Sequence, residues 1–256
     1  MLPPAPFPIL EFDATREAII EPSQVNRPIG APEHCVICFF KEVIAKVCED
    51  HQAQVVKSLM SEIGPHPLYE LAVQGERLAF FHPGVGAPLA VGLLEEVIAL
   101  GCRKFIVCGG AGVLDREITA GHLVVPTVAV RDEGTSYHYL PPGREVEASA
   151  GGLAAIEGTL QRRGVPYLTG KTWTTDAFYR ETHAKVQLRR SEGCLTVEME
   201  AAAFFAVAQF RGVTFAQILY GGDDVSGEEW DERGWQSRTS VREKLFWLAA
   251  EACLSL

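Results

Sequence analysis

The segment Thr196-Val197-Glu198-Met199-Glu200-Ala201-Ala202-Ala203-Phe204-Phe205-Ala206-Val207-Ala208 sets two glutamates around a methionine at the head of a long apolar run. Taking a carboxylate out of water is costly unless it is paired or hydrogen-bonded. The run itself has the composition of a buried helix, and the free N–H groups and dipole of a helix start favour negative charge. Inside a helix Glu198 and Glu200 would point about 200° apart. In extended chain, residues two apart share a face. If both serve one pocket, the helix begins near Glu200 while Glu198 is still extended. The alternative is an ordinary solvated first turn, which acidic residues also favour.

Outward from this segment, strand-like and helical stretches interleave. The patterns predict a strand at 34–40, a helix over 41–63, and hairpin strands at 71–73 and 78–81 around Gln74-Gly75-Glu76. A helix at 88–100 is closed by Gly101. Short buried strands follow at 104–108, 123–130 and 214–220, with amphipathic helices at 152–163 and 240–252. Strands mixed with helices, some joined by hairpins, give one α/β domain with a mixed sheet over 34–256, behind a Pro-rich, acidic arm over 1–33.

At 256 residues and 47% hydrophobic, the chain supports a sizeable core. A net charge of −10 argues against a nucleic-acid partner or an anionic membrane surface. No apolar run reaches the length of a membrane span, and Met1-Leu2-Pro3-Pro4-Ala5-Pro6 lacks the charged-then-apolar pattern of a signal peptide. Seven cysteines, several inside apolar runs, fit a reducing cytoplasm. Cys35-Val36-Ile37-Cys38 has C-x-x-C spacing but lies in a strand with no second pair or nearby histidine, so no metal is expected.

In open α/β sheets ligands bind beyond the carboxyl ends of strands. Three segments qualify. Gly109-Gly110-Ala111-Gly112 admits close backbone approach, lacks the spacing of a dinucleotide fingerprint, and has a plain glycine turn as its alternative. Gly221-Gly222-Asp223-Asp224 offers an acid or base just past a buried strand, or else an Asx-turn. Residues 172–182, from Thr172 and Trp173 to Phe178, Tyr179 and Arg180, mix rings for stacking with hydrogen-bonding groups; the rings are equally suited to a core.

Taken in order, these residues resemble the nucleoside phosphorylase/nucleosidase superfamily, which includes hexameric-type purine nucleoside phosphorylase, uridine phosphorylase and the methylthioadenosine/S-adenosylhomocysteine nucleosidases. Val197-Glu198-Met199-Glu200-Ala201-Ala202 is the most specific motif. His82-Pro83-Gly84-Val85-Gly86-Ala87-Pro88, the glycine run with Gly121-His122-Leu123-Val124-Val125, and Asp176-Ala177-Phe178-Tyr179 support it, and Ala129-Val130-Arg131-Asp132-Glu133-Gly134-Thr135-Ser136 is similar to the phosphorylases in particular. The resemblance implies a three-layer α/β/α sandwich around a mixed, partly barrelled sheet, and cleavage of an N-glycosidic bond through an oxocarbenium-like transition state. It places Glu200 on the ribose hydroxyls, Met199 beneath the sugar and Glu198 near base and sugar. Phe178 would stack on the base, beside Gly110, Gly112 and Arg180, and Asp223 would protonate or hydrogen-bond the leaving base. It also implies a homo-oligomer, dimer or hexamer, and no cofactor beyond inorganic phosphate as a co-substrate.

The chain departs from the phosphorylase pattern at the phosphate. Where a Gly-Asp-Pro-x-x-Arg-like loop is expected stands Cys38-Phe39-Phe40-Lys41-Glu42-Val43. Val107-Cys108 replaces a second arginine, and no arginine falls near 64–66, where a neighbouring subunit would donate a third. Losing bidentate guanidinium contacts argues against phosphorolysis by the usual site. Aligned with the Met-Glu-Glu-Glu-Val of the nucleosidases, Glu42 becomes a general base acting on water. Two alternatives stay open: Lys41 binding an anion in a rebuilt site, and Lys41 and Glu42 as a solvated first turn. Asp223 favours a purine, and the Gln-x-Arg pair that reads uracil is absent near Thr182-His183-Ala184. Asp224 is the acid if the register slips by one. Competing with an enzyme are a non-catalytic nucleoside or nucleobase binder on the same fold and, resting only on glycines, a nucleotide-cofactor protein.

Overall fold

Burial on both faces explains the apolar strands of the computed structural model, which describes residues 3–256. In β1 (His34–Cys38), Cys35 and Ile37 point into one hydrophobic layer and Val36 and Cys38 into the other, as the two-residue period of a strand requires. β5 (Lys104–Val113) repeats the division, with Phe105 and Val107 on one side and Ile106 and Cys108 on the other.

The remaining elements follow in chain order: α1 (Pro22–Val25), α2 (Lys41–His51), β2 (Gln54–Ser61), β3 (Gly64–Val73), β4 (Glu76–Phe81), α3 (Ala87–Leu100), β6 (Leu123–Asp132), β7 (Glu145–Glu147), α4 (Ala150–Arg162), β8 (Tyr167–Thr175), α5 (His183–Ser191), β9 (Cys194–Glu198), α6 (Ala201–Arg211), β10 (Thr214–Asp224) and α7 (Thr239–Leu254). The strand order is β10-β6-β8-β9-β5-β1-β4-β3-β2, and β10 also pairs with β5. Five strands therefore close into a barrel, and β1, β4, β3 and β2 extend from it as an open wing. The pairings are mixed: β1 is parallel to β4 and β5, and β10 to β5, while β9 runs antiparallel to β5. Helices α3 and α6 cover one face; α2, α4 and α7 cover the other. This is the expected three-layer sandwich with a partly barrelled sheet.

Several expected boundaries move. The helix predicted over 41–63 stops at His51, because Gln52 adopts the left-handed conformation (φ 51°, ψ 42°) and its N–H closes on Cys48 O. Residues 54–61 instead form β2 against β3, in keeping with the β-branched Val55-Val56. The glycine runs are not turns: β5 continues through Gly109–Gly112 and β10 through Gly221–Asp224, paired together along the barrel. Residues 172–175, grouped with the following loop in the sequence pattern, belong to β8.

The arm lies along α3 and α6. Asn26 Nδ2 donates to Glu96 Oε2 at 2.8 Å, and Arg211 bridges Glu21 (3.3 Å) and Glu95 (2.7 Å). All seven cysteines are free. Cys35 and Cys102 are fully buried, and the Cys253 thiol, reaching in from α7, donates to the carbonyls of Cys35 at 3.6 Å and Lys104 at 3.5 Å. Among the described residues, no helix is long and apolar enough to cross a membrane.

Candidate active site

The two glutamates of the opening segment do different work. β9 ends on Glu198, which pairs in register with Thr174 of β8, and α6 begins at Ala201. Glu198 Oε2 accepts from the backbone N–H of Glu200 (2.7 Å) and Ala201 (2.6 Å). Its Oε1 accepts from the hydroxyls of Thr174 (2.6 Å) and Thr172 (3.4 Å), and Thr174 Oγ1 in turn accepts from Ala202 N–H at 2.9 Å. Both oxygens are thus taken by protein donors, a tie between the α6 N-terminus and β8 rather than the sugar contact expected of this residue. Burial pushes the Glu198 carboxyl up from its ordinary range, and these donors pull it back.

Glu200 is 5% exposed and accepts from Gly86 N–H at 2.6 Å. Burial, and then the charge of Glu198 beside it, push its carboxyl up to about 8. Gly86 closes the loop after β4, whose His82 Nδ1 accepts from Gly84 N–H at 3.0 Å. That bond leaves the proton of the neutral ring on Nε2, and burial lowers the basicity of His82. Met199 is half-buried between the two glutamates.

Asp223 lies on β10, which flanks β5 on the side away from β9. Val197, one residue before Glu198, pairs with Gly112 of β5. A Cβ on Gly112 would lie 3.0 Å from Val197 Cγ1 and 3.6 Å from Asp223 Oδ1, so side chains of β9 and β10 meet over this bare glycine. Gly110 lies under the Tyr220 ring, with the position of its missing Cβ 3.0 Å from Tyr220 Cε1. Trp230 Nε1 donates to Asp223 Oδ2 at 2.7 Å. The neighbouring Asp224 is 4% exposed, ion-paired with Arg233, and accepts from Ser226 N–H at 2.8 Å. Asp224 is thus a structural carboxylate, and Asp223 is the one presented toward Gly112.

Glu181 went unnoticed in the sequence. It ends the short turn Phe178–Arg180 after β8, and burial together with the charge of Asp223 pushes its carboxyl up to about 7. On the same turn Phe178 is 50% exposed, with its ring 4.1 Å from that of Tyr179, and Arg180 is exposed. Asp176 Oδ2 accepts from Gly134 N–H at 2.9 Å, which pins the start of this loop to the segment after β6.

Glu42 lies in the first turn of α2. Its Oε1 accepts from Arg242 Nη1 at 2.6 Å. The Arg242 guanidinium also donates to Tyr220 Oη (3.1 Å) and Trp235 O (3.3 Å), boxed by the rings of Phe40, Tyr220 and Trp235. Where the resemblance puts a phosphate loop, Phe40 is buried and Phe39 packs edge-on to His82. Lys41 is exposed at the start of α2. Beyond the base end, a cavity of about 540 Å³ between α5 and the loop after β10 is lined by Arg116, His183, Arg190 and Ser226. Among the described residues no cluster of three or more His, Cys, Asp or Glu is placed to hold a metal ion.

Comparison with known proteins agrees with this architecture. Residues 33–247 match the phosphorylase superfamily. Over 202 residues the chain is 28% identical to a guanosine phosphorylase of Halorubrum lacusprofundi, covering 78% of this chain and 80% of that protein. It is 31% identical to a uridine phosphorylase of Thermococcus kodakarensis over 55% of each. Its fold superposes on an AMP nucleosidase of Bacteroides thetaiotaomicron with a TM-score of 0.70, over 88% of both chains at 22% identity. The chain belongs to the phosphorylase superfamily, whose members break glycosidic bonds.

Proposed function

We propose that this protein cleaves the N-glycosidic bond of a purine nucleoside. Glu200 holds the ribose hydroxyls with Met199 beneath the sugar, Phe178 flanks the base, and Asp223, beside Gly112, meets the leaving ring; the space over Gly110, expected to face the base, is filled by the Tyr220 ring. One observation carries the reading: Val197 of β9, one residue before Glu198, and Asp223 of β10 both come within 4 Å of the position a Cβ on Gly112 would take. This contact supports placing a diol-binding carboxyl and an acid for the base in one cleft. The likeness to a guanosine phosphorylase supports a purine.

Water is the acceptor this geometry favours. Aromatic rings occupy the place of a phosphate loop, and Arg242 orients Glu42 through Oε1, leaving Oε2 to take a proton from water. Phosphate is the second reading, supported by the phosphorylase relatives and by exposed Lys41. Assembly into a dimer or larger belongs to the same proposal, supported by exposed Met60 (65%) and Ile63 (76%) at the β2–β3 tip and Val85 (65%) in the loop beside Glu200.

Incubating the protein with guanosine, inosine, adenosine and uridine, with and without phosphate, tests the reaction. Purine release without phosphate, abolished by Glu42→Gln, is the expected result. Ribose 1-phosphate as product would establish phosphate as acceptor instead. Tight binding without turnover would make the protein a binder.

A further inference from the structure

Asp223 and Asp224 stand side by side at the end of β10, and the chain uses them differently. Asp224 builds a loop. Its N–H donates to Asp231 O at 2.8 Å and the Asp231 N–H returns to Asp224 O at 3.1 Å, which closes residues 225–230 at their base. Its carboxylate accepts from Ser226 N–H at 2.8 Å and pairs with Arg233, whose Nη1 also donates to Ile118 O at 2.7 Å. The last residue of that loop is Trp230, and its indole N–H donates to Asp223 Oδ2 at 2.7 Å. Among the described residues, this is the one hydrogen bond on the Asp223 carboxyl, and no cation pairs with it.

An indole is normally drawn out of water by packing. Trp230 is 62% exposed and directs its one polar atom at Asp223. The two Asp223 oxygens are otherwise nearly equivalent. A Cβ on Gly112 would lie 3.6 Å from Oδ1 and 3.7 Å from Oδ2, so a half-turn of the carboxyl would exchange them at that glycine. The indole N–H breaks the equivalence.

We infer that Trp230 is a positioning residue for Asp223: its N–H holds Oδ2 and fixes the carboxyl beside Gly112, with Oδ1 left to meet the base. The inference rests on the proposed purine nucleoside cleavage. The donor's chemistry sharpens it. An indole N–H donates, cannot accept, and carries no charge. In a protonated carboxyl the carbonyl oxygen is the better acceptor, so the indole favours Oδ2 in that role and the proton on Oδ1. As the bond between the sugar carbon and the ring nitrogen breaks, its electron pair moves into the purine. The Oδ1 proton passes to a ring nitrogen and Asp223 is left as a carboxylate, still held by Trp230. Arg233, the cation of this loop, is committed to Asp224 and to Ile118 O, so the orienting group is neutral.

Two variants separate the N–H from the ring: Trp230→Phe removes the donor and keeps an aromatic side chain, and Trp230→Ala removes both. On guanosine each is expected to lower kcat about tenfold, the order of one well-placed hydrogen bond, with KM within about threefold of wild type. 7-Methylguanosine already carries on its base the positive charge that protonation would supply. Both variants should cleave it within about threefold of the wild-type rate, which also shows that they fold. An unchanged kcat on guanosine in Trp230→Phe, or equal losses on the two nucleosides, would overturn the role of the N–H while leaving nucleoside cleavage intact. A wild-type protein that turns over neither nucleoside, with or without phosphate, would remove the proposed function and this inference together.

Discussion

Glu198 and Glu200 are two residues apart and chemically identical, yet the fold asks opposite things of them. Glu198 is saturated with donors, so replacing it by glutamine sets an amide N–H against either two backbone N–H groups or two hydroxyls. Glu198→Gln is expected to cost about 2–3 kcal/mol in urea unfolding, the usual penalty for an unsatisfied buried partner. Glu200 titrates at about 8 when folded, against an ordinary 4.5. Between those values the folded state binds more protons than the unfolded one, so this group makes stability fall as pH rises from about 4.5 to about 8. Glu200→Gln keeps an acceptor for Gly86 N–H and cannot ionise. It should match the wild-type melting temperature at pH 5, exceed it at pH 9, and lose nucleoside cleavage at both; equal melting temperatures at pH 9 would refute the shift. Sequence alone set these two glutamates at a helix entrance, since the apolar run behind them is unmistakable. Which of them caps the helix was hidden, because the deciding donors, Thr172 and Thr174, come from a strand 24 or more residues earlier.

At the scale of elements, legibility followed hydrophobic contrast. β1, α3 and the starts of β5, β6 and β10 carry dense apolar runs and were readable. α2 was drawn too long because nothing in Gln52 announces a left-handed residue, and the strand after it is mostly exposed, with Leu59 its one buried side chain. α5 and β8 escaped for a related reason. Lys185, Arg189 and Arg190 dilute the apolar face of α5, and β8 is rich in threonine, with its buried half limited to residues 172–175. Glu181 was invisible because the burial that raises its carboxyl is made by the fold and by no local pattern. Close packing also sets a test at this scale. A Cβ on Gly152 of α4 would lie 2.7 Å from Ala216 Cβ on β10. Alanine raises helix propensity by up to about 1 kcal/mol, yet Gly152→Ala should destabilise the protein, because helix and strand must separate to admit it. A rise in melting temperature would show that this contact yields freely.

Across the whole molecule, the barrel and the wing meet at β5, the one strand shared by β1, β9 and β10. The proposed sugar and base ends of the cleft are thereby fixed to one rigid element, whereas the Phe178–Arg180 turn, on the rim, is exposed. Sequence order alone conveyed this layout through its resemblance to a family; the closure of five strands into a barrel follows from pairings that no local pattern reveals.

The free thiols give the molecule a built-in clock. Six of the seven are buried, and Cys48 alone is partly exposed. A chromogenic disulfide reagent should therefore colour rapidly by at most one equivalent and then at the pace of global opening, with nucleoside analogues slowing only the second phase. Once oxidised in an opened chain, Cys253 and Cys35 stand to become stapled to the wrong partners, so that a passing rupture of the last helix hardens into permanent damage.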